Sequence, residues 1–136
     1  MKPFKRKNAY LFSALIIVFI LANAALGIAS YSVSGKMIAI LQSIGLQNLT
    51  EFRLRKIAHV LEYILLGFIL AVCFKSKQHP WLDAVAAAVF VAMLDETIQM
   101  FSPARHALLT DVWLDIASAA IGAIACAVLH SIQAGI

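Results

Sequence analysis

The sequence has only two cysteines and seven acidic residues among 136. It also lacks a glycine-rich phosphate loop, a nucleophilic-serine motif and a C-x-x-C pair. Phosphate-loop nucleotide binding, serine hydrolysis and dithiol redox chemistry therefore have no sequence support. Cys73 and Cys126 both lie within apolar stretches, so they read as small packing residues rather than as a disulfide framework. No internal repeat, low-complexity tract or polar stretch long enough for a separate soluble domain is present.

What fills the chain is apolar sequence. Its hydrophobic share of 62% exceeds the roughly 45 to 50% of soluble domains, and its mean hydropathy is +0.90. Bilayer crossing takes about 20 apolar residues. Four stretches approach that length, over about 10–29, 57–74, 81–98 and 112–129. The expectation is an all-α integral membrane four-helix bundle, one transmembrane domain over 1–136.

Between the first two stretches, Met37, Ile38, Ile40, Leu41, Ile44 and Leu46 recur at helical spacing among polar residues, which predicts a short helix lying in the interface. A cleaved signal peptide competes for the first stretch, because Ala22-Asn23-Ala24 follows a basic start and an apolar run. The run continues to Ala29, longer than such segments usually are.

The formal charge of +4 arises largely from Lys2, Lys5, Arg6 and Lys7 ahead of the first stretch. That cluster reads as a topology marker holding the N-terminus in the cytoplasm, not as a nucleic-acid surface. Four crossings then return the C-terminus to the same side.

Five of the seven acids, Glu62, Asp95, Glu96, Asp111 and Asp115, fall within or at the ends of the last three apolar stretches. An ionisable group at bilayer depth costs roughly 2.5 to 3.5 kcal/mol on insertion scales, so it persists mainly where it is paired, hydrated or functional. Alternating span direction brings these acids to one end of the bundle, whichever face is cytoplasmic. Residues three or four apart share a helix face. His59, Glu62 and Tyr63 share one, Asp95 and Gln99 a second, and Asp111, Asp115, Ser118 and Gly122 a third. Ser118 and Gly122 also form a small-xxx-small pair of the kind that lets helices approach closely in lipid, and small-residue faces on the last two spans leave room for a homodimer.

These residues support several kinds of site. Arg105, with His106, Lys56 or Arg55, offers cations for a phosphate, and Tyr63, Gln99 and Asp115 complete a substrate-binding set. His59, Glu62, Asp95, Glu96, Arg105 and Asp111 are the candidate catalytic residues, with His59 as general acid or base near Glu62. A divalent metal, Mg or Mn, would draw on His59, Glu62, Asp95 and Asp111, with Glu96 an alternative to Asp95. A purely structural alternative pairs Glu62 with His59, and Arg105 with Asp111 or Asp95. An ion pathway fits less well, because the other half of the spans offers only Asp83, Cys73 and Cys126.

The segments K-x-x-H-x-x-E-Y at Lys56–Tyr63, D-E-x-x-Q-x-F at Asp95–Phe101 and R-x(5)-D-x(3)-D at Arg105–Asp115, in that order and within apolar stretches, resemble the VanZ-like family of small bacterial membrane proteins. The resemblance covers roughly residues 55 to 125. It implies a multi-pass protein of the cell envelope, linked through a family member to low-level teicoplanin resistance; the clustered cations beside His59 and the carboxylates point to a lipid-linked wall precursor as partner, with a metal-dependent membrane hydrolase or a non-catalytic envelope partner as alternatives. The family often has Gly beside the loop Arg, where Ala104 stands here. Some relatives are labelled phosphotransbutyrylase, but nothing in this chain supports that soluble acyl-transfer chemistry.

Overall fold

The computed structural model describes residues 6–25, 27–45, 50–75, 78–101 and 108–134. Among them the protein is all-helical: α1 Arg6–Ala25, α2 Gly27–Ser43, α3 Glu51–Cys73, α4 Pro80–Met100 and α5 Leu109–Ala134. Three of these are long and apolar enough to cross a membrane, over Asn8–Ala25, Phe52–Cys73 and Leu109–Gln133. α4 has 21 residues, about 31 Å of helix, but carries three acids, Asp83, Asp95 and Glu96.

The helix boundaries have local causes. Thr50 caps α3 by accepting a hydrogen bond from the Arg53 amide at 3.3 Å. Pro80 opens α4, where its missing N–H costs nothing. Asp111 lies in the first turn of α5, where its negative charge suits the positive end of the helix dipole. Past α2, Gly45 takes φ +104°, a left-handed value that glycine adopts without the steric penalty of a side chain.

α1 ends at Ala25 and α2 begins at Gly27, so the second helix starts earlier than the amphipathic spacing from Met37 onward suggests. α2 packs mainly on α3, burying Ile38 while Met37, Ile40 and Ile44 stay exposed.

α3 and α5 make the most extensive contact. They run parallel, since Lys56 meets Asp111 and, further along both helices, Gly67 meets Ala119. The approach is backbone to backbone. A methyl group on Gly67 would overlap the Ala119 carbonyl oxygen, and one on Gly122 would overlap the Ile64 carbonyl oxygen. Such proximity in lipid rests on van der Waals packing rather than on the hydrophobic effect.

α4 packs against the α3–α5 pair and runs antiparallel to it. Its buried face reads Ala84, Ala88, Val91, Ala92, Asp95, Glu96 and Gln99, a single stripe that changes from alanine to polar side chains in its last two turns. α1 completes the bundle antiparallel to α3. Near its start, Tyr10 donates from its hydroxyl to the Cys73 carbonyl at 3.2 Å, and Ser13 lies beside the Cys73 thiol.

The core joins Ile20, Tyr63, Leu66, Leu70, Val91 and a set of alanines from α3, α4 and α5. Large apolar side chains elsewhere point outward, including Phe19, Leu61, Phe90, Trp113 and Ile121. An aqueous protein would not tolerate so much exposed apolar surface, whereas hydrocarbon solvates it. Between α1 and α3 an apolar groove of about 510 Å³ is lined by Phe12, Ile16, Leu65, Phe68, Ile69 and Val72.

Candidate functional site

The polar end of the bundle is built by the first turns of α3 and α5 and the last turns of α4. Parallel pairing of α3 and α5 sets two rungs. On the outer rung the Lys56 ammonium contacts Asp111 Oδ1 at 2.6 Å, with both side chains about a third exposed or less, at 33% and 26%. Lys56 also lies over the Phe52 ring, 4.8 Å from its centroid.

On the inner rung His59 Nδ1 lies 3.7 Å from Asp115 Oδ1 and 3.7 Å from Asp95 Oδ2. Both separations exceed hydrogen-bond length. The aspartates are almost wholly enclosed, at 1% and 2% side-chain exposure, while His59 retains 20% and forms the accessible side of the cluster.

Two further groups shape this centre. Gln99 donates from Nε2 to Asp95 Oδ2 at 3.1 Å, which fixes the carboxylate one helical turn away on the same face. Tyr63 is fully buried, with its ring stacked against His59 at 6.4 Å between centroids and 11° between planes. Its hydroxyl has no hydrogen-bond partner among the described residues, and neither has Asp115 Oδ1. Burying polar atoms without a partner is costly, so each such atom calls for a water, an ion or a functional role.

The remaining expected residues fall into place around this centre or apart from it. Glu96 is buried on α4, and its carboxylate accepts the backbone N–H of Leu108, tying the start of α5 to the end of α4. Glu62 is half-buried one turn beyond His59 on α3. Ser118 donates to the Leu114 carbonyl at 2.7 Å within its own helix, so it serves packing alongside Gly122. Arg55 is half-buried near the start of α3. Arg105, His106 and Ala104 lie outside the described residues.

The metal-type set thus differs from the one read from spacing. His59, Asp95 and Asp115 each present a ligand atom within 4.8 Å of the others. Asp111 is instead held by Lys56. From spacing, Asp115 was a substrate-binding residue and Asp111 the ligand, because spacing gives the faces within each helix and not the register between helices. The missing signal was the interval: Lys56 and His59 are three apart, Asp111 and Asp115 four apart, and parallel helices turn those into two consecutive rungs.

The fold and site together define an all-helical membrane protein with an enclosed cluster of carboxylates and one imidazole at one end of its helices. The chain belongs to the VanZ/LLP1 family, whose profile matches residues 8–130. Comparison with curated proteins and with solved structures finds no match.

Proposed function

We propose that this chain is a four-span protein of the bacterial cytoplasmic membrane, a single VanZ-like domain with both termini cytoplasmic. Its polar cluster opens outward and binds or alters a lipid-linked cell-wall precursor, and in doing so modulates susceptibility to glycopeptides such as teicoplanin. α4 is the third span in chain order, completing the set of four with α1, α3 and α5. Its length suffices, and Asp95 and Glu96 face the bundle rather than lipid, which lowers their insertion cost. α2 lies along the interface, with Met37, Ile40 and Ile44 as the face turned to lipid.

The observation that carries this reading is the meeting of His59, Asp95 and Asp115 from three helices, beneath the Lys56–Asp111 pair. Lys56 and Arg105 supply charge for a phosphate, and His59, the most exposed member of the centre, is placed to exchange a proton with it. The groove between α1 and α3 suits the lipid chain. Its lining residues Leu65, Phe68, Ile69 and Val72 continue along α3 from the His59 turn, away from the polar end.

The test is direct. In nanodiscs the wild-type chain should bind, or release phosphate from, a long-chain polyprenyl phosphate or diphosphate. His59→Ala and Arg105→Ala should lose that activity, and cells carrying them should lose the protein's effect on teicoplanin susceptibility. Unchanged susceptibility and unchanged lipid binding in both variants would overturn the proposal. Retained susceptibility effects with no lipid binding, and a co-purifying envelope protein, would favour a non-catalytic partner instead.

A further inference from the structure

We propose that His59, Asp95 and Asp115 together hold one divalent cation, with Gln99 positioning the Asp95 ligand and Tyr63 packed against the His59 ligand. The inference deepens the reading above, resting on it only for the phosphate that would fill the remaining coordination positions.

Distance is the first argument. Donors bound at about 2.1 Å to one octahedral ion stand roughly 3.0 Å apart when adjacent and about 4.2 Å apart when opposite. The two His59–carboxylate separations of 3.7 Å fall between these values, too long for hydrogen bonds and short enough to share an ion. All three donor atoms lie within 4.8 Å of one another, so a sub-ångström contraction completes the set.

Charge is the second. Among the described residues, the nearly inaccessible Asp95 and Asp115 carboxylates both face the His59 imidazole at 3.7 Å. A dication bound by two carboxylates and a neutral imidazole brings the same group to neutrality, which suits a low-dielectric site.

An independent observation comes from the orphaned atoms. Asp115 is 2% exposed, its Oδ1 is directed toward His59, and that oxygen has no hydrogen-bond partner among the described residues. The Tyr63 ring stacks on the same imidazole, and its hydroxyl is likewise enclosed without a hydrogen-bond partner among the described residues. Gln99 donating to Asp95 is the kind of outer contact that orients a ligating carboxylate.

One nitrogen and two carboxylate donors suit Mn²⁺ or Zn²⁺ better than the harder Mg²⁺, which favours an all-oxygen set. The expected ligands therefore shift from His59, Glu62, Asp95 and Asp111 to His59, Asp95 and Asp115, because Asp111 is engaged with Lys56.

The experiment uses the full chain in detergent, stripped with chelator and then given MnCl₂ alone. Wild type should take up one Mn²⁺ per chain and show nitrogen hyperfine coupling in the bound-ion electron spin spectrum. His59→Gln should lose the nitrogen coupling, Asp115→Asn should lose stoichiometric binding, and Gln99→Ala should weaken it by about 10–100-fold. Circular dichroism reports whether each variant folds. If Asp115→Asn does not, the wild-type nitrogen coupling and its loss in His59→Gln still decide the matter. A wild-type chain that leaves all Mn²⁺ and Zn²⁺ free, or binds with no nitrogen coupling, overturns the site, as does binding unchanged in both ligand variants. Mn²⁺ binding without affinity for polyprenyl phosphate keeps the ion site and removes the proposed lipid. Lipid binding to a metal-free chain does the reverse.

Discussion

Lys56 on α3 and Asp111 on α5 form a 2.6 Å ion pair across 55 residues of chain, fixing the register of two parallel helices at the mouth of the polar cluster. Both side chains are partly exposed, so the pair is expected to be weak in energy while precise in geometry. A double-mutant cycle with Lys56→Ala and Asp111→Asn should give a coupling of about 0.2 to 1 kcal/mol that falls as salt is raised. Coupling indifferent to ionic strength would count against this placement.

Replacing either interhelix glycine should be costly. Gly67→Ala and Gly122→Ala each push a methyl group into a facing backbone carbonyl, and rigid backbone cannot give as a side chain can. Thermal unfolding in detergent should show each destabilised by about 1 to 3 kcal/mol. Ala125→Leu, on the exposed side of α5, should change stability far less.

Removing the Glu96 acceptor should loosen the entry to α5. Glu96→Ala deletes a charge-assisted hydrogen bond to the Leu108 amide, of a kind contributing about 1.5 to 3 kcal/mol. Hydrogen exchange around Leu108 should quicken roughly ten- to a hundredfold if that bond limits opening. Glu96→Gln, which keeps a side-chain carbonyl acceptor, should restore most of the protection.

Tyr63→Phe should separate stability from ligand binding. The hydroxyl is enclosed without a hydrogen-bond partner among the described residues, so its removal should leave thermal stability unchanged or slightly raised. Binding of Mn²⁺ or lipid phosphate should weaken if the hydroxyl adjoins the occupant. Marked destabilisation would show that the hydroxyl contributes to the fold itself.

The four-span arrangement makes a topological prediction. In a Cys73→Ala, Cys126→Ala background, Leu109→Cys should react with membrane-impermeant maleimide added outside intact cells, and Gln78→Cys only after lysis. Both positions are exposed, and they lie at opposite ends of the bundle. The reverse pattern would invert the orientation while leaving the cluster intact.

Helical character was readable along the chain because apolar stretches of membrane length allow few other structures. The gathering of Asp95, His59 and Asp115 at one end followed from alternating helix direction, a consequence of connectivity that needs no distances. What spacing did not reveal was partnership. Whether Asp111 or Asp115 reaches His59 depends on how far α3 and α5 are displaced along their axes, and that displacement is set by Gly67 and Gly122, two turns or more from the acids. The start of α2 at Gly27 was equally hidden, because the apolar run from Tyr10 extends past it to Ala29. Glu96 looked like a site residue from its neighbour Asp95, yet the Leu108 amide that it accepts from belongs to a contact only the folded chain creates.

The alanine-to-acid face of α4 bears on mechanics. α3 and α5 meet through their main chains, leaving no compressible layer between them, so the interval from His59 to Asp115 is pinned by Gly67 about 12 Å away along α3 and Gly122 about 10 Å away along α5. Asp95 rides on a helix that packs through small side chains along most of its buried face, Ala84, Ala88 and Ala92, with the Glu96 bond to the Leu108 amide as its tie to α5, and methyls slide over one another more readily than interlocked backbones do. Any tightening around a guest would therefore come from α4 shifting toward a fixed pair, with Asp95 as the donor that travels.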